Sequence, residues 1–239
     1  MRCCLTNNGL AVLSDQQRAH VFGVLYLITF VTSIPALLLF EPALRHPVAF
    51  VAGSGNVNRI YLGALLELLL IIANVGTAVV IVPIMRRQFE ELSLAYLTAR
   101  IFECTFILVG IVAMLGIATL QHENAGAAEA TAAYTLAAIK DWTFILGPGW
   151  MVGWGNGLIL GYMMYRTQLV PRKATWLGLA GGPLLIISGT AVMFGGGHPS
   201  TALQGLATIP EALWELFLGV YCTIWGFRRD APILSESAR

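Results

Sequence analysis

Six stretches of this 239-residue chain, near residues 20–40, 60–85, 94–119, 142–165, 174–194 and 208–227, are apolar over a length that leaves few folds open. An α-helix needs about 20 such residues to cross a bilayer core of about 30 Å. In lipid no water satisfies the backbone, so a spanning segment must close its own hydrogen bonds as a helix or in a closed barrel. The composition agrees: 11% of residues are charged and 57% hydrophobic, against about 25% charged in a soluble domain. The expected fold is therefore all-α, a polytopic membrane bundle of six helices. A transmembrane domain at 20–227 is flanked by an N-terminal tail at 1–19 and a C-terminal tail at 228–239. The first run, Val21 to Phe40, is read as an uncleaved span. It exceeds the roughly 7–15 apolar residues of a signal peptide, and no small-residue cleavage site follows it.

Basic residues set the direction. Arg2, Arg18, Arg86, Arg87, Arg166, Arg172, Lys173, Arg228, Arg229 and Arg239 fall on one side of a six-span arrangement, and Arg45, Arg59 and Lys140 on the other. Ten against three places both termini in the cytoplasm by the positive-inside rule. The outer connections are then EPALRHPVAFVAGSGNVN, QHENAGAAEATAAYTLAAIK and GGGHPSTALQGLA. The Ala-rich second one has the propensity for a short surface helix, although its apolar face is poorly formed and it reads first as a connector. With no basic stripe or charge run, nucleic acid is not an expected partner. The partners the sequence suggests are the bilayer, a small-molecule or cation ligand, and a second copy of the chain.

Glycine recurs at Gly149, Gly153, Gly157 and Gly161 in the fourth run. That spacing lines one helix face with small residues and lets a neighbouring helix approach closely. Trp150 and Trp154 stand beside it and are expected to fill the bundle rather than line a pocket. Pro35, Pro83, Pro148 and Pro183 each remove a helical hydrogen bond and bend the chain locally. Cys104 and Cys222 lie in apolar runs and should pack as small hydrophobes. Cys3 and Cys4 sit in the polar tail, where lipid attachment is chemically open; no pair has the C-x-x-C spacing of a redox or zinc site.

The chemistry concentrates in ionisable groups at membrane depth, where each costs a few kcal/mol and faces the protein interior. Glu67, Asn74, Arg100, Glu103, Asn156 and Glu215 are the candidate ligand-binding residues. Arg100 and Glu103 are three apart and can pair, while Arg100 can also snorkel toward the cytoplasmic interface. Glu67 and Asn74, seven apart, share a face. Two polar layers result: an inner one with Asn74, Arg100, Glu103 and Asn156, and an outer one with Glu67 and Glu215. If those two glutamates face each other, a proton or cation between them offsets their repulsion. Glu211 is read instead as a cap, because Thr208-Ile209-Pro210-Glu211 has the form of a capping box opening the sixth helix. RIFECTFILVG and ALWELFLGVY both place Glu after an aromatic residue in oppositely running spans, as a three-plus-three inverted repeat would.

RAHVFGVLYLITF, Arg100 with Glu103, GLILGYMMYRTQLVPRKATWLGLAGG and IPEALWELFLGVY together resemble the bacterial integral-membrane family known as domain of unknown function 4386. The resemblance covers nearly the whole chain and is most specific at the fourth-to-fifth connection. Lys173-Ala174-Thr175-Trp176 departs from the simpler apolar lead-in expected there. It implies six helices in a bacterial cytoplasmic membrane, and no activity.

The residues favour a binding or transport protein whose bundle cavity takes a small cation, a proton-coupled solute or an amphipathic ligand. A structural or regulatory subunit, with charges that fix helix register, is the alternative. An enzyme ranks below both. His20, His46, His122 and His198 lie at span edges or in loops without the HExxH spacing for zinc. Ser54 in AGSGN reads as a flexible loop rather than a nucleophile elbow. Glu90-Glu91 is followed by Ala95 where an intramembrane protease would need arginine. No cofactor or metal site is read from the sequence.

Overall fold

The computed structural model describes residues 13–121, 126–195 and 202–235. Arg2, Cys3, Cys4, His122, His198 and Arg239 lie outside these residues. Every described element is helical. Helix α1 (Asp15–Arg45) opens on a capping box, the Ser14 hydroxyl accepting from the Gln17 backbone while the Gln17 side chain accepts from the Ser14 N–H. A short α2 (Pro47–Ala49) continues into a π-helical turn at Phe50–Ser54, which Gly53 leaves at φ 99°. Helix α3 (Val57–Met85) is capped by the Asn56 side chain, and α4 (Glu90–Gln121) begins with Glu90 and Glu91, suited to the positive end of the helix dipole.

From Ala127 to Thr167 the chain stays helical without a break. It runs as α5 (Ala127–Phe144), two π-wound segments at Ile145–Met151 and Gly153–Leu160, and α6 (Gly161–Thr167). Pro148 lies in the first π-wound segment, where it cannot donate a backbone hydrogen bond. The stretch ends at Gln168, whose φ of 54° is the left-handed stop of many helices. Helices α7 (Arg172–Met193), α8 (Ala202–Trp225) and α9 (Pro232–Ser235) complete the order.

The long helices pack in chain order as a ring. α1 lies on α3, α3 on α4, α4 on α5 and the π-wound segments, these on α7, α7 on α8, and α8 closes on α1. One end of the ring is tied by hydrogen bonds. The Arg87 guanidinium donates twice to Asp15 at 2.8 Å, Gln16 donates to the Phe227 carbonyl at 2.7 Å, and the Arg228 N–H donates to Leu169 at 2.9 Å. An apolar cluster built on Phe22, Tyr26, Met85, Tyr96, Met163 and Phe227 fills this end. A second, with Phe40, Phe50, Ile60, Met114 and Ile117, fills the other. Along their helices, Thr29, Asn74, Arg100, Glu103 and Asn156 fall between the two clusters and are buried.

The polarity is inverted relative to a water-soluble protein. Val31, Ile72, Val112 and Ile187 are each more than 60% exposed, while Glu67, Arg100, Glu103, Lys140 and Glu211 are at most 9% exposed. Four helices, α1, α3, α4 and α7, are long and apolar enough to cross a membrane.

Three sequence readings change. The first outer connection is not a flexible loop: Phe50 and Val51 are buried, and the Gln121 side chain donates to the carbonyls of Phe50 and Gly55. The Ala-rich segment is neither a connector nor a surface helix. It is α5 itself, continuous with the next apolar run and packed on α4 through Ala133 and Ala137. And α8 begins at Ala202, so Glu211 lies nine residues inside the helix, where it caps nothing. Thr208 donates back to the Gln204 carbonyl instead.

Candidate functional site

The ring forms a partly open cavity of about 300 Å³, with Leu37 and Phe144 of its lining exposed on the outside of the bundle. Every long helix contributes to its wall: α1 through Thr29, Phe30 and Leu37, α3 through Glu67 and Asn74, α4 through Glu103, α5 through Lys140 and Phe144, α7 through Leu185, and α8 through Gln204, Glu211 and Glu215.

On the α3–α4 side the polar groups pair with one another, although Arg100 Nε meets no acceptor among the described residues. Arg100 and Glu103 stand three apart on α4 and pair at 2.7 Å. The Glu103 carboxylate also accepts from the Asn74 amide at 2.9 Å, and Arg100 donates to the Asn74 carbonyl oxygen at 2.6 Å and to the Thr77 hydroxyl at 3.4 Å. The guanidinium lies 5.9 Å from the centre of the Tyr26 ring, whose hydroxyl meets that of Tyr96 at 3.3 Å. Arg100 is 2% exposed, so it does not snorkel to an interface. A buried pair with supporting hydrogen bonds is costly to break and adds little net stability relative to an apolar pair. What it fixes is geometry, holding α3 and α4 in register.

Lys140 completes a second pair. Its ammonium sits 2.6 and 2.7 Å from the two oxygens of Glu67 and 4.9 Å from the centre of the Phe40 ring. Gly110 on α4 makes the room: a Cβ there would come within 2.9 Å of Lys140 Cδ. Lys140 is therefore not an outer-surface charge, and only Arg45 and Arg59 remain on the weaker side of the basic-residue comparison.

The α8 wall is different. Gln204, Thr208, Glu211 and Glu215 follow one another at spacings of four, three and four, and all line the cavity. Glu215 accepts from the Asn156 side-chain amide, and Trp214 donates to the Asn156 carbonyl at 3.2 Å. Glu211 is 1% exposed, and among the described residues neither of its oxygens meets a donor; the Gln204 side-chain oxygen is likewise unmet. Glycine shapes the seat of Glu211. A Cβ at Gly157 or at Gly181 would each lie 2.8 Å from Glu211 Oε2. An ionised carboxylate so placed needs a proton or a cation to offset its lost hydration.

The glycine face of the fourth apolar run packs where close approach is required. Gly153 and Gly157 lie against Gly182 of α7, and a Cβ on Gly157 would stand 2.5 Å from the Gly182 Cα. Neither tryptophan beside it lines the cavity. Trp154 is 47% exposed, so it does not fill the bundle, and Trp150 donates to the Thr190 hydroxyl at 3.4 Å. Cys104 and Cys222 are buried free thiols.

Of the candidates named from sequence, Glu67, Asn74, Glu103 and Glu215 line the cavity, while Arg100 and Asn156 stand behind it and hold lining residues. The proposed layers change in part. Asn74, Arg100 and Glu103 do cluster, but Asn156 belongs with Glu215, and Glu67 takes Lys140 rather than Glu215 as its partner. Lys140, Gln204 and Glu211 were not among the candidates. The polar stripe on α8 carried a signal for two of them, hidden by the capping motif. Among the described residues no group of His, Cys, Asp and Glu is placed to hold a metal ion.

A family model described as a domain of unknown function (DUF4386) matches residues 21–226. Comparison with curated proteins and with solved structures gives no match. The apolar helices and this match together mark a membrane protein.

Proposed function

The chain belongs to the DUF4386 family, and from that premise we propose a multi-pass protein of a bacterial cytoplasmic membrane that binds or transports a small solute in its helix-bundle cavity. One observation carries this reading. A cavity of about 300 Å³ is lined by four carboxylates from three helices, Glu67, Glu103, Glu211 and Glu215, while Arg100 and Lys140 are the cations that pair with carboxylates there. Such a surplus of acceptors favours a cation, a proton-coupled solute or an amphipathic molecule with a donor group.

The proposed topology has six spans with both termini in the cytoplasm. All six apolar runs lie in helices apart from their last residue or two, and the ring closes from α8 back to α1. Arg18, Arg86, Arg87, Arg166, Arg172 and Arg228 lie near the end that the Asp15–Arg87 and Gln16–Phe227 bonds tie together. Labelling single cysteines placed at 58 and 229 with a membrane-impermeant thiol reagent tests it. Position 58 should react in intact cells and position 229 only in inverted vesicles; the reverse would overturn the orientation.

For ligand binding, the test is thermal stability of the purified protein, of Glu67→Gln and of Glu215→Gln across pH, with cations and small amphiphiles. Wild type should gain stability with at least one ligand, and both variants should lose that gain. A panel in which neither pH nor any ligand separates the three proteins would favour the second reading, a structural membrane subunit. The Arg100–Glu103–Asn74–Thr77 network is the observation on that side, since its charges are paired within the bundle.

A further inference from the structure

The walls of the cavity narrow the ligand to one chemical class. Resting on the reading of the cavity as a binding site, we propose that its ligand is a small organic monocation, a primary ammonium on an apolar body, with the ammonium seated at Glu211. The charge follows from what is already paired. Glu67 is bonded to Lys140, Glu103 to Arg100 and Glu215 to the Asn156 amide, which leaves Glu211 as the lining carboxylate that meets no donor among the described residues. Four lining carboxylates against the cations Arg100 and Lys140 leave Glu211 and Glu215 without a counter-charge; the Asn156 amide meets Glu215, so the single ammonium is placed at Glu211.

The donor character follows from the orphan atoms. Both Glu211 oxygens and Gln204 Oε1 are buried acceptors on residues 1% and 4% exposed, which share one face of α8 and stand about 10 Å apart along it. An ammonium brings three donors and no acceptor, so it suits the Glu211 carboxylate, whereas an anion or a neutral acceptor leaves it unmet. Glycine at 157 and 181 leaves the Glu211 carboxylate room that any side chain there would take.

The apolar body follows from the rest of the lining. Phe30, Leu37, Phe144 and Leu185 surround the same space, which a strongly hydrated metal ion would not use, and such an ion needs several oxygen ligands besides. At about 300 Å³ the cavity is at the lower end of the range for ligand pockets, roughly 300–1,000 Å³, so the molecule is small.

Three ring compounds of one shape and different charge make the test: benzylammonium, benzyl alcohol and benzoate, with sodium and potassium chloride beside them. Binding to the purified full chain is measured by calorimetry near pH 7 for wild type, Glu211→Gln and Glu211→Asp. Benzylammonium should bind tightest, weaken at least tenfold in Glu211→Gln and recover in part in Glu211→Asp. Glu211→Gln exchanges an unmet acid for a neutral group of the same shape and should fold as wild type does, which its melting curve verifies. Preferred binding of benzyl alcohol or benzoate, or benzylammonium binding unchanged in Glu211→Gln, would overturn the ammonium assignment and leave the cavity as a binding site. Binding of sodium or potassium alone would also overturn it while keeping a cation site. No binding of any compound would remove both readings.

Discussion

The wall of the cavity made by α3, α4 and α5 and the wall made by α8 carry similar residues in opposite states. On the first, Glu67 and Glu103 are each held by a buried cation, and Asn74 bridges Arg100 and Glu103. On the second, Glu211 has no partner among the described residues, and Glu215 has only the Asn156 amide. A charge with its counter-charge in place holds helices in register. A buried acceptor left open is a cost the fold carries unless something else fills it. The contrast divides the polar interior into a part whose charges are paired across the bundle and a part whose carboxylates have no counter-charge.

The largest effect expected from breaking this contrast is on the paired wall. Arg100→Met strands Glu103 in the interior and should destabilise by about 3–5 kcal/mol, read as a fall in Tm, while Arg100→Met combined with Glu103→Leu should recover much of the loss. Next comes Lys140→Met, with a cost of about 2–3 kcal/mol because Glu67 borders the cavity and can draw in water. Adding Glu67→Gln should return part of it, and a double-mutant cycle gives the coupling. Gly157→Leu sets a side chain against Gly182 and should cost about 1–3 kcal/mol through overpacking, with loss of any ligand-induced rise in Tm.

Glu211→Gln sharpens the comparison from the other side. Without ligand it should melt no lower than wild type, because a neutral group of the same shape replaces a buried carboxylate without a counter-charge. A collapse as large as that of Arg100→Met would mean that both walls are structural. The smallest effect lies outside the bundle, at Asp230. A hydrogen bond from Arg228 holds this carboxyl below its ordinary range. A group lowered in the folded state stabilises above its unfolded value of about 4 and loses that contribution as pH falls through the folded value. Asp230→Asn should therefore match wild type at the acid end and differ slightly at neutral pH, a gap that salt should shrink because the pair is exposed.

The positions of the helices were legible because apolar run length is a property of the chain alone. The pairing of Arg100 with Glu103 was legible for the same kind of reason, since three residues on one helix guarantee a shared face. Lys140 was not. It stands beside Asp141 at the edge of an Ala-rich segment, and nothing nearby in sequence reveals a carboxylate 73 residues away. Glu211 was misread because a local motif, Thr-Ile-Pro-Glu, fits a helix start, while α8 had already begun at Ala202. Proline near the start of a helix and proline within a membrane helix look alike until the preceding turn is seen.

Run length, the burial of ionisable groups and the small-residue face thus came from the sequence, because each is enforced by lipid or by the helical repeat on residues close together. The tertiary structure decided which buried charges meet and which stay open. Partner choice depends on the ring order of helices distant in the chain and on how glycines such as Gly110, Gly157 and Gly181 set the space between them. Neither quantity is local, so no reading along the chain could assign Lys140 to Glu67 or leave Glu211 without a partner among the described residues.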